Sequence, residues 1–186
     1  MIIGLGYKAR SGKDTVAGIL QTYCGFQPVA FADSLKLACK EVFGFTYDQL
    51  HGALKDSEDP YWSQVTGQGL SPRKILQLVG TEAFRKIIHP DIWIYSLKKR
   101  VEELKNPNIV ITDMRFFNEV EAVKKWGGYA IKIDRPGLPL VNQHVSEIEL
   151  DAYYKWDYVL ENDSTYDHLE IKVKELYRKL KEGFHS

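Results

Sequence analysis

The segment that most constrains the fold is the turn at residues 6–15, Gly-Tyr-Lys-Ala-Arg-Ser-Gly-Lys-Asp-Thr. It follows the apolar run 2–5 and precedes a helical pattern over 13–23, so the sequence predicts a strand, a turn and a helix in that order. Backbone N–H groups at a helix N-terminus bind anions, and Lys13 has the reach to contact the outer phosphates of a nucleotide. The turn therefore predicts a phosphate-binding loop, with Ser11 and Gly12 in its cradle.

Two positions depart from the usual loop pattern, Gly-x-x-x-x-Gly-Lys followed by Ser or Thr. Tyr7 stands in the slot of the first glycine, because Gly6 is one residue early. Asp14 stands in the slot of the hydroxyl residue that normally contacts Mg²⁺, and Thr15 follows it. We expect either Asp14, through water, or Thr15 to take over that metal contact.

Short apolar runs alternate with helical patterns along the rest of the chain, which is typical of βαβ units and a parallel sheet. We therefore predict a three-layer α/β fold of the P-loop NTPase type, with about five parallel strands flanked by helices. After the first strand and helix, the expected strands lie at 28–32, 108–112, 129–133 and 157–160. A second helix is expected to follow the N-cap residues Asp33 and Ser34 and to end near Phe43. Four more helices are expected at 71–88, 91–105, 116–126 and 166–182.

The whole chain of 186 residues is expected to form one domain with an insertion. Residues 35–107 separate the second and third expected strands, and we predict that they form a helical substrate-binding subdomain. Within it, residues 52–72 contain three glycines and two prolines and show no clean period. This pattern predicts a structureless loop, of the kind that often acts as a lid or a mobile binding segment.

The charge balance narrows the class of partner. The chain has 25 Lys and Arg residues against 25 Asp and Glu residues, which argues against a nucleic-acid-binding protein and a polybasic membrane-surface protein. No apolar run approaches a membrane span, and the N-terminus lacks the pattern of a signal peptide. Cys24 and Cys39 suggest two reduced thiols rather than a disulfide or a zinc site. We expect a cytoplasmic location, in the host cytoplasm if the chain is phage-encoded.

Several short motifs follow the loop in a fixed order. They are Leu-Gln with Gly-Thr (76–77, 80–81), Asp-Ile-Trp (91–93), Thr-Asp-Met-Arg with Asn-Glu (112–115, 118–119), Asp-Arg-Pro-Gly (134–137), His-Val-Ser-Glu (144–147) and Glu-Asn-Asp (161–163). Together with Gly-Lys-Asp-Thr, this set resembles the phage deoxynucleoside monophosphate kinases. The resemblance runs almost end to end, although it is weak between about 44 and 70. Asp after the loop lysine is usual in that family, whereas Tyr7 departs from it.

The resemblance implies phosphoryl transfer from ATP, with Mg²⁺, to a deoxynucleoside monophosphate, and it makes a homodimer plausible. Both reactants are anionic, so positioning and positive charge matter more than covalent chemistry. The accepting phosphate has a second pKa near 6, so it is largely dianionic at neutral pH and needs no dedicated base. We therefore look for arginines rather than for a Ser-His-Asp set.

The candidate residues for catalysis, ATP binding and metal binding sit at the ends of predicted strands and in the loop, and the catalytic ones are Lys13, Arg10, Arg115 and Asp113. Arg10 joins Lys13 in the loop, and Arg115 follows the third strand, where ligands bind in parallel α/β sheets. Asp113 resembles the strand-end carboxylate that holds Mg²⁺ in P-loop enzymes, with an N-cap role as the alternative. Arg135 suits stacking on adenine or contact with ATP phosphates, and Asn162 resembles a family position near adenine.

The candidate residues for the acceptor lie in the predicted insertion or close to its ends. Asp33 and Lys36 follow the second strand and would face the acceptor nucleotide. Arg73 and Arg85 are twelve residues apart on one predicted helix, and we expect both to point at one phosphate, together with Arg115. His144 has no partner in the pattern and is expected to be structural. Tyr61 and Trp62 are expected to be packing aromatics rather than a base sandwich.

Two alternatives stay open at this stage. Another small-molecule kinase of the same fold is the nearer one, since phosphomevalonate kinases also carry a Ser-Gly-Lys-Asp loop. Dephospho-coenzyme A kinases share the late strand-end asparagine. The other alternative is a module that binds ATP without turning it over, which would leave the arginine set without an anionic second substrate.

Overall fold

The computed structural model describes residues 1–139 and 144–183. The chain divides into two compact units. The sheet unit comprises Met1–Ala30 and Lys99–Ser186, and the helical unit comprises Phe31–Lys98. The substrate-binding role expected for residues 35–107 stays a prediction.

The sheet unit is built on five parallel strands in the order β2-β3-β1-β4-β5 among the described residues. The predicted fold class is therefore confirmed. The second strand ends earlier than the pattern at 28–32 suggested, because the chain turns at residues 31–32 before the next helix. The strands are β1 (Ile2–Gly6), β2 (Gln27–Val29), β3 (Ile109–Met114), β4 (Tyr129–Asp134) and β5 (Tyr158–Glu161).

The described helices are, in chain order, α1 (Lys13–Cys24), α2 (Asp33–Phe43), α3 (Tyr47–His51), α4 (Pro60–Thr66), α5 (Pro72–Gln77), α6 (Ile92–Glu103), α7 (Phe117–Lys125), α8 (Val145–Ile148) and α9 (Tyr166–Glu182). Short 3-10 helices lie at Ala53–Asp56 and Glu149–Ala152. A π-helix, Leu78–Ile88, follows α5 directly. Each of these helices is too short or too polar to span a bilayer.

Alternation along β1 sends successive side chains to opposite faces of the sheet. Ile3 and Leu5 join the buried apolar cluster that α1 and α9 contribute to. On the other face, a side chain at Gly4 would collide with Met114. This small residue allows close packing at the centre of the sheet, where the phosphate loop begins.

Residues 52–72 are not the structureless loop that the sequence predicted. They contain the 3-10 helix 53–56 and α4, which begins at Pro60 with Asp59 as its N-cap. The Asp59 carboxylate accepts a 3.0 Å hydrogen bond from the Trp62 N–H and a 2.7 Å bond from Gln49 Nε2. Capping and side-chain contacts fix these short helices, and periodicity over so few residues does not reveal them.

The predicted helices in this unit also need two corrections. Asp33 is not an N-cap, because α2 starts at Asp33 itself and Ala32 occupies the cap position with no side-chain bond. The pattern at 71–88 is an α-helix only as far as Gln77 and continues as a π-helix with i to i+5 bonding. The single regular helix expected to carry both Arg73 and Arg85 is therefore two kinds of helix, with Arg73 in the α-helical part and Arg85 in the π-helical part.

Candidate active site

The loop that joins β1 to α1 has an unusual backbone. Tyr7, Arg10 and Gly12 have positive φ angles of 93°, 63° and 98°. Gly12 is the N-cap of α1 and offers no side-chain acceptor to the first-turn N–H groups. The loop thus leads into the positive end of a helix dipole, the arrangement that favours bound anions.

Tyr7 adopts the conformation for which the loop pattern uses glycine. A non-glycine residue in the left-handed region costs on the order of 1–3 kcal/mol and persists where the surroundings impose it. Its ring lies under the Lys132 ammonium group, 4.1 Å from the ring centroid, and the Lys8 ammonium is 5.3 Å from the same centroid. The tyrosine therefore fills the glycine slot at a cost in backbone strain that cation–π contact offsets in part.

Lys13 is buried in the loop and held by its main chain. Its Nζ donates to the Tyr7 carbonyl at 3.2 Å, to the Lys8 carbonyl and to Ser11 Oγ at 3.4 Å. Burial, with a smaller contribution from nearby Arg115, lowers the pKa of Lys13 from 10.5 to about 8, against the opposing effect of three carboxylates. Those carboxylates are Asp14, Glu147 and Asp113. An anionic ligand here would stabilise the charged ammonium.

Asn162 ties the loop to the end of β5. Its Nδ2 donates a 2.9 Å hydrogen bond to the Ser11 carbonyl, across 151 residues of sequence. A side chain at position 12 would collide with the same amide group. Asn162 was predicted near adenine, and its observed contact is with the loop backbone.

Arg115 lies just beyond β3 and is held from two sides. Its NH1 is 2.5 Å from Glu147 Oε1 and 3.2 Å from the Ser146 carbonyl. Its backbone N–H donates a 2.7 Å bond to the buried Glu119 carboxylate, which also accepts the Phe116 N–H. Asp113 is part of β3 rather than the N-cap of α7, for which Phe116 takes that position.

Two of these carboxylates, Glu147 and Glu119, were absent from the predicted site. The Glu147 side chain is only 5% exposed and Glu119 is 3% exposed, so both are buried acids with cationic or N–H partners. The sequence contained an indication for Glu119, because this residue is the third of α7, which is the position of a capping-box acid. Glu147 is the last residue of the His-Val-Ser-Glu motif, for which the prediction concerned only the histidine.

The structure brings Ser11, Lys13, Asp113, Arg115 and Asn162 together around the loop, with Asp14 beside the lysine. The other residues predicted for ATP binding in the sheet unit are more exposed to solvent. Arg10 and Thr15 are exposed in the loop and the first turn of α1, and Arg135 is exposed directly after β4. Their predicted contacts with ATP stay predictions.

The helical unit carries the residues predicted for the acceptor. Asp33 lies in the first turn of α2, and Lys36 Nζ is 3.3 Å from His51 Nδ1. Arg73 forms an ion pair with Asp56, and buried Arg85 donates a 2.8 Å bond from NH1 to the Pro90 carbonyl. Their contacts with an acceptor stay predictions.

The aromatic and histidine candidates contact neighbouring residues of their own units. His144 is the N-cap of α8, where its Nδ1 accepts a 3.2 Å bond from the Ser146 N–H. Trp62 Nε1 donates a 2.9 Å bond to the Phe43 carbonyl, and its ring packs edge-on against Phe43 and Tyr61. The structural role expected for His144 and the packing role expected for Tyr61 and Trp62 stay predictions.

Similar proteins point to one group of enzymes. The family model for deoxynucleotide monophosphate kinase matches residues 49–173, more than half of the chain. A protein of Acanthamoeba polyphaga mimivirus, assigned as a deoxynucleotide monophosphate kinase, is 39% identical over 93% of this chain and 94% of its own length. The deoxynucleoside-5'-monophosphate kinase of Escherichia phage T5 is 45% identical over 56 residues, which cover 30% of this chain and 22% of that protein.

A solved structure supports the fold. Dephospho-CoA kinase from Campylobacter jejuni superposes with a TM-score of 0.50 at 18% identity, over 98% of each chain. At that identity the likeness concerns the fold alone. The family match and the near full-length viral relative together carry the assignment: the chain belongs to the deoxynucleotide monophosphate kinase family.

Proposed function

We propose that this protein transfers the γ-phosphoryl group of ATP to the 5'-phosphate of a deoxynucleoside monophosphate, producing the diphosphate and ADP. The observation that carries the proposal is Lys13, a buried ammonium group at the N-terminus of α1 in a chain of this family. Burying an ammonium group costs free energy, and an anion bound beside it would offset that cost. A nucleotide phosphate is that anion.

The loop residues would bind ATP. Backbone N–H groups from Ser11 onward and the Lys13 ammonium would hold the phosphates, and Arg10 would add charge at the loop's exposed edge. Arg135 and Asn162 would lie toward the adenine end. Positive charge placed beforehand stabilises the charge that develops on the transferred group.

The donor set fits Mg²⁺. No cluster of three or more His, Cys, Asp or Glu side chains suited to a metal occurs among the described residues. Mg²⁺ does not need one, since it usually binds through one or two carboxylates, water and substrate phosphates. Asp113 and Asp14 would hold it, with Thr15 as a further oxygen ligand. When bound, it would neutralise negative charge on the phosphates.

Arg115 would act on the transferred phosphoryl group and on the acceptor phosphate. Its guanidinium group is anchored by Glu147 and by the Ser146 carbonyl, so it is positioned before any substrate arrives. Preorganised cations cost little reorganisation during the reaction. Asp33, Lys36, Arg73 and Arg85 of the helical unit would bind the acceptor nucleotide.

The remaining partner assignments follow the same proposal. We expect a small-molecule substrate, no nucleic-acid partner and no membrane partner, with a homodimer as the expected assembly. The expected location is the cytoplasm, or the host cytoplasm for a phage-encoded chain. Sedimentation of the purified protein would test the assembly.

A coupled ADP-release assay with ATP, Mg²⁺ and the four common deoxynucleoside monophosphates tests the function. We expect turnover with at least one of them. Turnover with phosphomevalonate or dephospho-coenzyme A alone would assign another small-molecule kinase of this fold. ATP binding that no acceptor converts into ADP release would indicate a non-catalytic module.

A further inference from the structure

A row of polar side chains lies on the buried side of the segment 72–88 in the helical unit. Gln77, Thr81 and Arg85 are spaced four residues apart, and residues at this spacing lie on one face of a helix. Thr81 and Arg85 are 7% and 8% exposed, while Gln77 is half-buried. An amphipathic helix normally places apolar residues on its buried face, so a polar row there needs a reason.

The backbone of this row makes two close contacts at Gly80. The Gly80 carbonyl accepts a 3.0 Å hydrogen bond from Trp93 Nε1, and Leu35 packs so closely on Gly80 that a side chain there would collide with it. From Leu78 the segment is a π-helix. π-helical turns are rare and frequently occur at functional sites.

Gln77 contains a buried donor that lacks an acceptor. Its Nε2 is enclosed and has no hydrogen-bond partner within the part of the chain that the structure describes. Buried amide groups in native proteins are nearly always satisfied, so an unsatisfied donor indicates a missing partner. Gln77 also belongs to the Leu-Gln and Gly-Thr motif, to which the proposed function assigns no role.

We propose that Gln77 is a specificity-determining residue that donates a hydrogen bond from its amide to the base of the acceptor nucleotide. The inference rests on the proposed function and extends it to base selection. Gln77 and Arg85 are eight residues apart, at most about 12 Å along a helix axis. This is comparable with an extended nucleoside monophosphate, so the guanidinium group would take the phosphate and the amide the base.

The chemistry of the amide predicts which bases are affected. The Nε2 group donates, and guanine and thymine offer the O6 and O4 carbonyl oxygens as acceptors. Adenine and cytosine offer amino groups at the corresponding positions, which need an acceptor instead. A carboxylate at position 77 only accepts, so Gln77→Glu should turn the preference from keto bases toward amino bases.

The test measures kcat/KM for dGMP, dTMP, dAMP and dCMP at saturating ATP. In Gln77→Glu we expect the ratio of keto to amino bases to fall at least about tenfold relative to the wild type. Gln77→Leu, which fills the site without a polar group, should lose discrimination through higher KM values for the keto bases. Gln64→Glu is the matched control, an exposed glutamine of the same unit, and should leave all four ratios unchanged.

Calorimetric binding of the same four nucleotides separates this inference from the proposed function. Wild-type turnover with ratios that stay within about twofold in both Gln77 variants would overturn the role of Gln77 and leave the kinase function intact. Selective binding that follows the Gln77 variants, without turnover, would support base recognition and contradict the kinase function. Absence of both binding and turnover in the wild type would overturn both proposals.

Discussion

The loop at 6–13 and the start of α5 both carry positively charged side chains, but they hold them by different means. In the loop, main-chain carbonyls bind a buried ammonium group, and three positive φ angles fix the path of the chain. At the start of α5, Arg73 is held by the Asp56 carboxylate, whose side chain is 45% exposed. A backbone-built site is rigid before ligand binding, whereas a surface ion pair exchanges partners easily.

This difference leads to the largest expected effect, at Lys13. We expect Lys13→Met to lower kcat/KM by about 10³-fold, because it removes a preorganised cation from the phosphates. The free energy of unfolding should stay the same or rise, since burial disfavours the charged ammonium and lowers its pKa to about 8. Steady-state kinetics and urea unfolding measure the two quantities.

Lys125→Met, at an exposed position of α7, is the matched control for Lys13 and should change neither quantity. Retained activity in Lys13→Met would mean that the loop lysine is not part of the catalytic machinery. The contrast between a site built from backbone groups and one built from side chains would then not hold for the loop.

The ion pair between Arg115 and Glu147 gives the next largest effect. Arg115→Ala should lower kcat by about 10²-fold, because a charge near the transferred group is lost. In Glu147→Gln the arginine keeps a hydrogen-bonding partner but loses its charge partner, so we expect about a tenfold decrease in kcat with little change in the KM for ATP.

The exposed Glu175 of α9 provides the control for Glu147, and Glu175→Gln should leave kcat unchanged. If Glu147→Gln raised the KM for ATP and left kcat unaltered, Glu147 would serve ATP binding rather than the positioning of Arg115. That result would assign the carboxylate to a different step.

Arg73 tests the site in which a side-chain ion pair holds the cation. Arg73→Ala should raise the KM for the acceptor nucleotide by about tenfold, as expected for one lost charge-assisted hydrogen bond, and leave the KM for ATP unchanged. Stability should change by only about 0–1 kcal/mol, because the partner carboxylate is well exposed. Titration of both substrates, with thermal unfolding, checks these values.

Asp56→Asn separates the two roles that Arg73 can have. If Arg73 binds the acceptor, removing its carboxylate partner should leave the acceptor KM unchanged or lower it. A rise in that KM equal to the one in Arg73→Ala would mean that the ion pair matters for the local fold rather than for the nucleotide.

The smallest effect is expected at Tyr7. Tyr7→Gly would relieve about 2 kcal/mol of backbone strain, and would lose about 1.5 kcal/mol through chain entropy and the contact with Lys132. The net gain in unfolding free energy should be about 0.5 kcal/mol. Ala9→Gly, at a loop residue without a positive φ, should instead destabilise by about 0.5–1 kcal/mol. Equal losses in both variants would show that the strain at Tyr7 is negligible.

Local patterns made most of the sheet unit predictable. The apolar runs became the five parallel strands, because strands buried on both faces need continuous apolar sequence. The helix at 166–182 was predicted at its observed bounds from the spacing of its apolar residues. The helical unit was less predictable, since α4 depends on an Asp59 cap and on packing by Trp62, not on a period.

The candidate site, like the fold, could be predicted from the sequence only in part. Lys13, Ser11 and Gly12 were predicted from one continuous motif, because a turn followed by a helix N-terminus is a local pattern that favours anion binding. Glu147 and Gln77 were not predicted. Glu147 becomes informative only when β3 and α8 bring it to Arg115. The Gln77 amide becomes informative only when its described surroundings offer the donor no acceptor.

The sequence by itself determined the turn between the first strand and helix, the apolar runs that form the parallel sheet and the short motifs that resemble a kinase family, since each of these is a local pattern of residues. The tertiary structure decided the rest. It placed Asn162 on the Ser11 carbonyl across 151 residues, set Arg115 between Glu147 and Glu119, and changed an expected α-helix into a π-helix after Gln77. These arrangements depend on long-range packing and on the partners available to buried polar groups, which no local pattern of residues encodes.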